Sequence, residues 1–382
     1  MTTTAGFGLL LIEETDELRS MADAVRAVMV AESPLERVAA VADGPDDYDV
    51  ALWRTLASEL GVTGVLVPEE HGGLGLGWPE TRVVLHELGR NLACVPYAES
   101  CVVAVTVILA SGDVGAAAEI LPGIADGTCV LAVGLGDDAL LPPGGRSAVS
   151  ATIDGEGCWR LEGDHPFVGG GAAADRILLL ARAADGRHGW FLVDGSAPGL
   201  TRTAMSVVDT TRPQARLTLD SVAARLVGGW DECDVLLGPA LDAAVTAAAC
   251  EQVAASRHLL DLTVAYTSTR YQFGQPIGSF QALQHRLADL AIAVDSAVSA
   301  VEYAVAAAHG DPDRVPEAAA IAGVVCSETL YRAALETIQM HGGIGFTWEH
   351  QAHRYYRRAL ASRALLGSPA LHRERLLQSL AL

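Results

Sequence analysis

The sequence predicts an α+β fold of three consecutive domains. These are an N-terminal α-helical domain over residues 1–127, a middle β-barrel domain over 128–228 and a C-terminal four-helix bundle over 229–382. The spacing of apolar residues follows the helical period before and after the middle segment, and within that segment it breaks into short β-prone runs. A length of 382 residues also exceeds the usual size of one domain, so several packed cores are expected.

The N-terminal domain is predicted from amphipathic helical runs. Residues 16–30 repeat apolar side chains at i, i+3, i+4 and i+7, and residues 48–60 repeat the pattern around a tryptophan. Residues 80–92 and 101–111 resume helix. Proline and clustered glycines in 67–78 predict a turn-rich loop between the second and third helices.

The middle domain is predicted from six short runs separated by Gly, Pro and Asp. Strands at this spacing indicate a small barrel or sandwich. The runs are 130–134, 150–154, 159–163, 176–181, 189–194 and 215–220. The C-terminal domain contains four long, alanine-rich periodic runs, which suit a helix bundle. They are 242–269, 281–309, 316–341 and 349–366.

Composition excludes several classes of function. All 26 basic residues are arginine and the formal charge is −21, so binding to nucleic acid or to anionic membranes is not expected. No run of about 18 residues is both apolar and uncharged, and the N-terminus lacks a signal peptide's basic region. The seven cysteines are scattered without a CxxC pair, which predicts reduced thiols, no metal site and a cytoplasmic protein.

Two C-terminal segments carry the most specific pattern. Arg270 begins Arg-Tyr-Gln-Phe-Gly-Gln-Pro-Ile-Gly-Ser-Phe-Gln, and Gln339 begins Gln-Met-His-Gly-Gly-Ile-Gly-Phe. Together they resemble the flavin-binding signature of the acyl-CoA dehydrogenase family. The loop at 67–75, followed by the helix at 86–90, is similar to the family element that lines the acyl pocket. The resemblance extends over nearly the whole chain and implies the same three-domain fold.

The resemblance implies FAD as cofactor and an oligomer as the working form. In the family the arginine at position 270 reaches the flavin of a neighbouring subunit, and its planar donor fork suits a pyrophosphate. The residues matched to flavin contacts are Arg270, Phe273, Gln281, Gln339, Gly342 and Gly343, with Phe167 matched to the ring-stacking strand of the middle domain. Taken singly, these residues also fit ordinary roles, such as a cation at a helix end, a core aromatic or a glycine helix stop.

The chain differs from the family at the positions that carry the catalytic base. The usual glutamate would lie 27 residues after Gln339, where this chain has Leu366. A minority of members place it 26 residues before the arginine, where this chain has Ala244. Glu251 lies seven residues further on, on about the same face of the helix, and is the candidate base. An acid at a helix surface or an interface is the alternative interpretation of Glu251.

A second departure concerns the middle domain. The family's hydroxyl-bearing flavin stretch is replaced by residues 133–143, which offer no evident hydroxyl donor. The resemblance therefore leads to three hypotheses. The first is FAD-dependent α,β-dehydrogenation of an acyl-CoA, with electron-transfer flavoprotein as implied electron acceptor. The second is a non-catalytic or flavin-sharing subunit of a mixed oligomer, and the third is an acyl-thioester lyase or isomerase without redox chemistry.

Overall fold

The computed structural model describes residues 14–135, 147–230 and 233–379, without the side chains of 233–235. Helices dominate its first part. They are α1 Asp16–Glu32, α2 Leu35–Ala42, α3 Val50–Ser58, α4 Trp78–Arg90, a π-helical segment Ala98–Ala104 that continues into α5 Val105–Ala110, and α6 Val114–Ala125.

Polar caps define where these helices begin. The side chains of Thr15, Asp49 and Asp113 accept hydrogen bonds from main-chain N–H groups in the first turns of α1, α3 and α6. Such caps satisfy donors that a helix leaves unpaired at its N-terminus. The helices enclose an apolar core around Trp53, whose indole N–H donates to the carbonyl of Gly127 at 2.9 Å.

The middle part is a mainly antiparallel sheet that closes into a barrel. Its order is β1-β4-β2-β3-β7-β5, β4 also pairs with β5, and β6 pairs with β7. The strands are β1 Leu131–Gly134, β2 Ser150–Ile153, β3 Trp159–Gly169, β4 Arg176–Ala183, β5 His188–Asp194, β6 Leu200–Ala204 and β7 Gln214–Val227. Strand β6 is not predicted from the sequence, because its exposed, polar residues lack an apolar run. The segment 133–143, expected to lack a hydroxyl donor, lies mostly outside the described residues.

Over residues 233–379, the C-terminal part contains the four expected helices and one more. They are α7 Cys233–Thr269, α8 Gln281–Gly310, α9 Val315–His341, α10 Ala352–Leu365 and the additional α11 Pro369–Ser379. A two-strand hairpin, β8 Tyr271–Gln272 and β9 Gln275–Pro276, joins α7 to α8. Helix α9 packs against α7, α8, α10 and α11.

Among the described residues, two segments of the bundle are long and apolar enough to cross a membrane by length and composition alone. They are Gln281–Gly310 and Pro312–Phe346. Core helices of globular proteins meet the same criterion, and both segments contribute at least half of their most apolar window to the protein interior.

Helices α4 and α7 approach each other closely enough to require glycine. A Cβ added at Gly89 would lie 2.3 Å from the Cα of Glu251. This contact brings the N-terminal helical part directly against the middle of α7. Arg212, in the segment before β7, also contacts Glu251, so the candidate base lies where the N-terminal part, the middle domain and the bundle meet.

Candidate functional site

The two motif segments lie side by side at one end of the bundle. Tyr266, in the last turn of α7, stacks on His341 at the end of α9, with 4.2 Å between ring centroids. The hydroxyl of Tyr266 also donates to the main-chain oxygen of His341 at 3.4 Å. Arg270 and Gln339 are therefore presented by neighbouring helix ends, and both are exposed.

The chain reverses immediately after Arg270. The carbonyl of Arg270 accepts a hydrogen bond from the N–H of Ile277 at 2.8 Å, which closes the β8–β9 hairpin. At the tip Phe273 has φ +55 and is 91% exposed, with Phe280 edge-to-face at 6.2 Å. Positive φ is a strained conformation for an aromatic residue, and such strain concentrates at functional sites. The hairpin thus holds an apolar ring out of the core, where another group can cover it.

The second segment ends α9 in an open turn. Gly342 has φ +64, which a residue with a side chain would adopt only under strain. Gly343 has no such requirement, because a Cβ there would meet no described atom within 4 Å. Within the described chain, the backbone conformation therefore favours glycine at Gly342 but not at Gly343. The open face at Gly343 leaves room for main-chain contact with a ligand or a neighbouring chain, beside Phe346, which is 83% exposed.

These residues fit a flavin dinucleotide. Arg270 offers a planar donor fork for phosphate oxygens, and Gln281 is exposed at the first turn of α8, directly after the hairpin. Phe273 offers an uncovered ring, and the turn at Gly343 offers uncovered main chain. All lie at one end of the bundle and none is covered by the rest of the described chain.

Phe167 lies on the barrel rather than on the bundle. The register of β3 against β7 shifts between His165 and Val168, and both of these residues are buried. Phe167 between them has φ +58 and is 62% exposed. Bulges of this kind re-aim a side chain, and this one directs the aromatic ring out of the barrel.

The two positions where the resemblance would place a glutamate are apolar. Leu366 follows α10 and packs against the buried side chains of Leu241, Val245 and Ala319. Ala244 lies on the same helix as Leu241 and is buried. Neither position can accept a proton.

Glu251 is buried in a network of ion pairs. Its carboxylate contacts the guanidinium of Arg212 and accepts from Nη1 of Arg358 at 3.4 Å. Burial raises the pKa of Glu251, although both arginines oppose the rise. A raised pKa suits a general base, whereas the two guanidinium groups compete for the oxygens that would accept the proton.

Arg358 lies at the centre of this network. It was not among the residues predicted from the sequence. It donates from Nε to Asp209 at 2.5 Å and from Nη2 to the hydroxyl of Thr211 at 2.7 Å. Burial works to raise the pKa of Asp209, but the charge of Arg358 and the Thr211 hydroxyl bring it below its ordinary value. The helical spacing could have indicated that Arg358 is buried, because it lies three residues after the buried Tyr355 on the inner face of α10.

We call this network the Arg358 cluster and define it as Glu99, Asp209, Arg212, Glu251 and Arg358. Arg212 completes it by lying 4.0 Å from the carboxylate of Glu99. The cluster joins the N-terminal helical part, the loop before β7, and helices α7 and α10. Each domain thus contributes at least one charge to a buried site.

Comparison with known proteins identifies the family. A model of the acyl-CoA dehydrogenase N-terminal domain matches residues 15–128, and a model of the acyl-CoA dehydrogenase C-terminal domain matches residues 239–381. This chain belongs to the acyl-CoA dehydrogenase family. The acyl-CoA dehydrogenase IpdE2 of Mycolicibacterium smegmatis is 32% identical over 358 residues, which are 93% of this chain and 96% of the relative.

Solved acyl-CoA dehydrogenase structures share the whole fold. The Tcur3481–Tcur3483 steroid ACAD variant has a TM-score of 0.85 at 33% identity, covering 96% of this chain and 98% of its own. The ChsE4–ChsE5 complex from Mycobacterium tuberculosis has a TM-score of 0.84 at 29% identity, covering 97% and 98%. The predicted fold and family are confirmed. As an acyl-CoA dehydrogenase, the chain has FAD as its cofactor and acyl-CoA α,β-dehydrogenation as its reaction.

Proposed function

We propose that the chain holds FAD through the surfaces described above and takes part in removing hydrogen from the α and β carbons of an acyl-CoA. The observation that carries this proposal is the Tyr266–His341 stack, because it joins the two flavin motifs at one exposed end of the bundle. The flavin contacts proposed are those of Arg270, Phe273, Gln281, Gln339, Gly342, Gly343 and Phe167. Bound FAD would accept the hydride from the β carbon.

The exposure of this end of the bundle supports a flavin site that is formed by two subunits together. Arg270, Phe273 and Phe346 are all exposed on the bundle, whereas Phe167 is exposed on the barrel. In this arrangement Arg270 and the Gly343 turn contact the dinucleotide of a neighbouring chain, and Phe167 stacks on the ring of its own. We further propose that the protein is cytoplasmic and passes electrons to electron-transfer flavoprotein.

Glu251 is the base that we propose within this chain. Its buried position excludes water and raises the pKa of the side chain, so the ionised carboxylate is a stronger proton acceptor than an exposed glutamate. For Glu251 to act, its contact with Arg212 has to open while Arg358 keeps the carboxylate in place. The test is Glu251→Gln, which removes the proton acceptor but keeps the shape. The exposed Glu374→Gln is the matched control.

With this base, anaerobic addition of acyl-CoA bleaches the flavin of the native protein, and Glu251→Gln slows bleaching by at least about a hundredfold. Equal bleaching rates in Glu251→Gln and in the native protein would remove Glu251 from the mechanism. The spectrum without substrate separates this result from loss of FAD, because the variant must still be yellow.

A second candidate function is that of a flavin-sharing subunit. Leu366 and Ala244 favour it, because both usual base positions are apolar. Two similar structures are also named as pairs of chains, Tcur3481–Tcur3483 and ChsE4–ChsE5. A chain that is colourless alone but gains flavin and activity with a partner of the same family would support this candidate. Nothing observed favours the lyase or isomerase alternative.

A further inference from the structure

Arg212 lies between two carboxylates that belong to different clefts. One cleft is lined by Arg212 together with Glu251 and Arg358. The other is lined by Arg212 together with Glu99. Arg212 contacts Glu251, and its Nη1 lies 4.0 Å from the carboxylate of Glu99. A turn of the Arg212 side chain from the first cleft towards the second therefore exchanges one carboxylate for the other.

The main chain is fixed on both sides of Arg212. The N–H of Arg212 donates to the carbonyl of Asp209 at 3.2 Å, and the N–H of Thr211 donates to the carboxylate of Asp209 at 3.1 Å. On the other side, the carbonyl of Pro213 accepts from the N–H of Gly170 at 3.1 Å. A change of partner therefore requires rotation of the side chain and leaves the loop in place.

The two guanidinium groups that contact Glu251 are held differently. The Arg358 side chain is 5% exposed, and it also donates to Asp209 and to a neighbouring hydroxyl group. The Arg212 side chain is 18% exposed and has the carboxylate of Glu99 as its second neighbour. Arg358 is thus anchored by three acceptors, whereas Arg212 has another carboxylate within reach. Arg212 is therefore the partner that Glu251 can release.

The charge of Glu251 decides which partner Arg212 prefers. Burial raises the pKa of Glu251, the charges of Arg212 and Arg358 oppose the rise, and those of Glu99 and Asp209 add to it. An ionised Glu251 attracts the guanidinium of Arg212. Once Glu251 has taken up a proton this attraction is lost, whereas the carboxylate of Glu99 still attracts the guanidinium. Proton uptake by Glu251 and movement of Arg212 are therefore linked, and each favours the other.

We infer that Glu99 is a positioning residue of the reaction, which receives the guanidinium of Arg212 when Glu251 accepts the proton from the α carbon of the acyl-CoA. The inference rests on the proposed function, in which Glu251 is the base. The Cα–H bond breaks and its proton goes to the carboxylate of Glu251. The electron pair left on the α carbon forms the double bond while a hydride leaves the β carbon for FAD. Loss of the proton from Glu251 to solvent, after the product has left, restores its contact with Arg212.

The kinetic test records anaerobic bleaching of the bound flavin by octanoyl-CoA as a function of pH. Glu99→Gln removes the second partner of Arg212, so we expect bleaching at saturating substrate to slow about tenfold. The acid limb of the profile should move to lower pH, because Arg212 then stays on Glu251. Arg212→Gln should move the acid limb to higher pH, because Glu251 loses an opposite charge. In the double variant, Glu99→Gln should cause no slowing beyond that of Arg212→Gln.

Glu119→Gln is the matched control. It removes an exposed carboxylate 2.7 Å from Arg225 and should leave the bleaching rate and its pH profile as in the native protein. Absence of slowing in Glu99→Gln, or equal slowing with and without Arg212, would overturn the inference. Failure of the proposed function is seen separately, as absence of bleaching in the native protein or as unslowed bleaching in Glu251→Gln, and either result overturns the inference as well.

A second test needs neither substrate nor flavin reduction. Denaturant titrations of the single and double glutamine variants measure how strongly Glu99 and Arg212 are coupled in the folded protein. The cycle is repeated in the Glu251→Gln background, where a neutral amide stands for the protonated base. We expect the coupling to grow about tenfold, expressed in the folding equilibrium constant, when residue 251 is neutral. Equal coupling in the two backgrounds would overturn the inference, and this result holds for variants that lose their flavin.

Discussion

Tyr266 stacks on His341 with 4.2 Å between their ring centroids, although the two residues are 75 positions apart in the chain. Tyr266 lies four residues before Arg270, and His341 immediately precedes the Gly342–Gly343 turn. The contact therefore fixes the distance between the two flavin motifs. The two motifs, which are separate in the sequence, therefore form one surface.

Removing the Tyr266 ring should loosen that surface. Tyr266→Ala is expected to lower the free energy of unfolding by about 1–3 kcal/mol, from lost burial and ring stacking, and to reduce the FAD content of the purified protein. Tyr266→Phe keeps the ring and loses only the 3.4 Å hydrogen bond, so it should retain flavin. The measurement is flavin per chain by absorbance. Full flavin content in Tyr266→Ala would contradict a role for the stack in forming the site.

Arg270 is expected to contribute to FAD binding through the planar shape of its guanidinium as well as through its charge. Arg270→Lys and Arg270→Gln should both weaken FAD binding, by about ten- to a hundredfold for the glutamine, because charge-assisted hydrogen bonds contribute about 1.5–3 kcal/mol. The readout is fluorescence titration of FAD into flavin-depleted protein. Arg19→Gln, on the exposed face of α1, is the control. Unchanged FAD affinity in both Arg270 variants would make Arg270 a solvated helix-end cation.

The sequence was sufficient for the fold class and for the turns that carry the two motifs, because both depend on local patterns. Long periodic runs predicted α7 to α10, and glycines at fixed offsets marked the turns near Phe273 and Gly342. Strand β6 was missed since its polar residues have no apolar alternation. Contacts between distant segments left no local signal, so the partners of Glu251 could not be predicted.

Arg358 shows this limit most clearly. Nothing near it in sequence indicates that its partners are Asp209, 149 residues away, and Glu251, 107 residues away. A helical wheel of α10 places Arg358 on the buried face, which predicts a paired charge but not its partner. Glu251 was selected from helix geometry alone, and the structure adds that Arg212 and Arg358 both contact it.

Breaking the Arg358 cluster should destabilise the protein strongly. Arg358→Met leaves Asp209 and Glu251 buried without their shared counter-ion, and we expect it to lower the free energy of unfolding by about 3–5 kcal/mol in denaturant titrations. Arg332→Met removes an exposed arginine 3.8 Å from Asp289 and should cost less than about 1 kcal/mol. The triple variant that adds Asp209→Asn and Glu251→Gln should recover part of the loss. A loss for Arg358→Met no larger than that for Arg332→Met would contradict the cluster's role in joining the domains.

Acid should destabilise the bundle through His372. Burial lowers the pKa of His372 to about 4, with the charge of Arg375 acting in the same direction. The unfolded histidine titrates near 6.5, so between about pH 6.5 and 4 the unfolded chain binds more protons than the folded one. The stability contributed by neutral His372 is thus complete above about pH 6.5 and falls as the pH drops, by at most about 3 kcal/mol. His372→Gln should therefore show a shallower fall in the free energy of unfolding from pH 7 to 4.5, and parallel curves for the two proteins would contradict this assignment.

The central claim is that this chain holds FAD in a site that oxidises acyl-CoA. It is tested most directly by the visible absorption spectrum of the purified protein, recorded before and after anaerobic addition of an acyl-CoA, with the chain expressed both by itself and with a candidate partner chain. We predict flavin bands that bleach on addition. Protein that remains colourless in both preparations, or flavin that no acyl-CoA reduces, would contradict the claim.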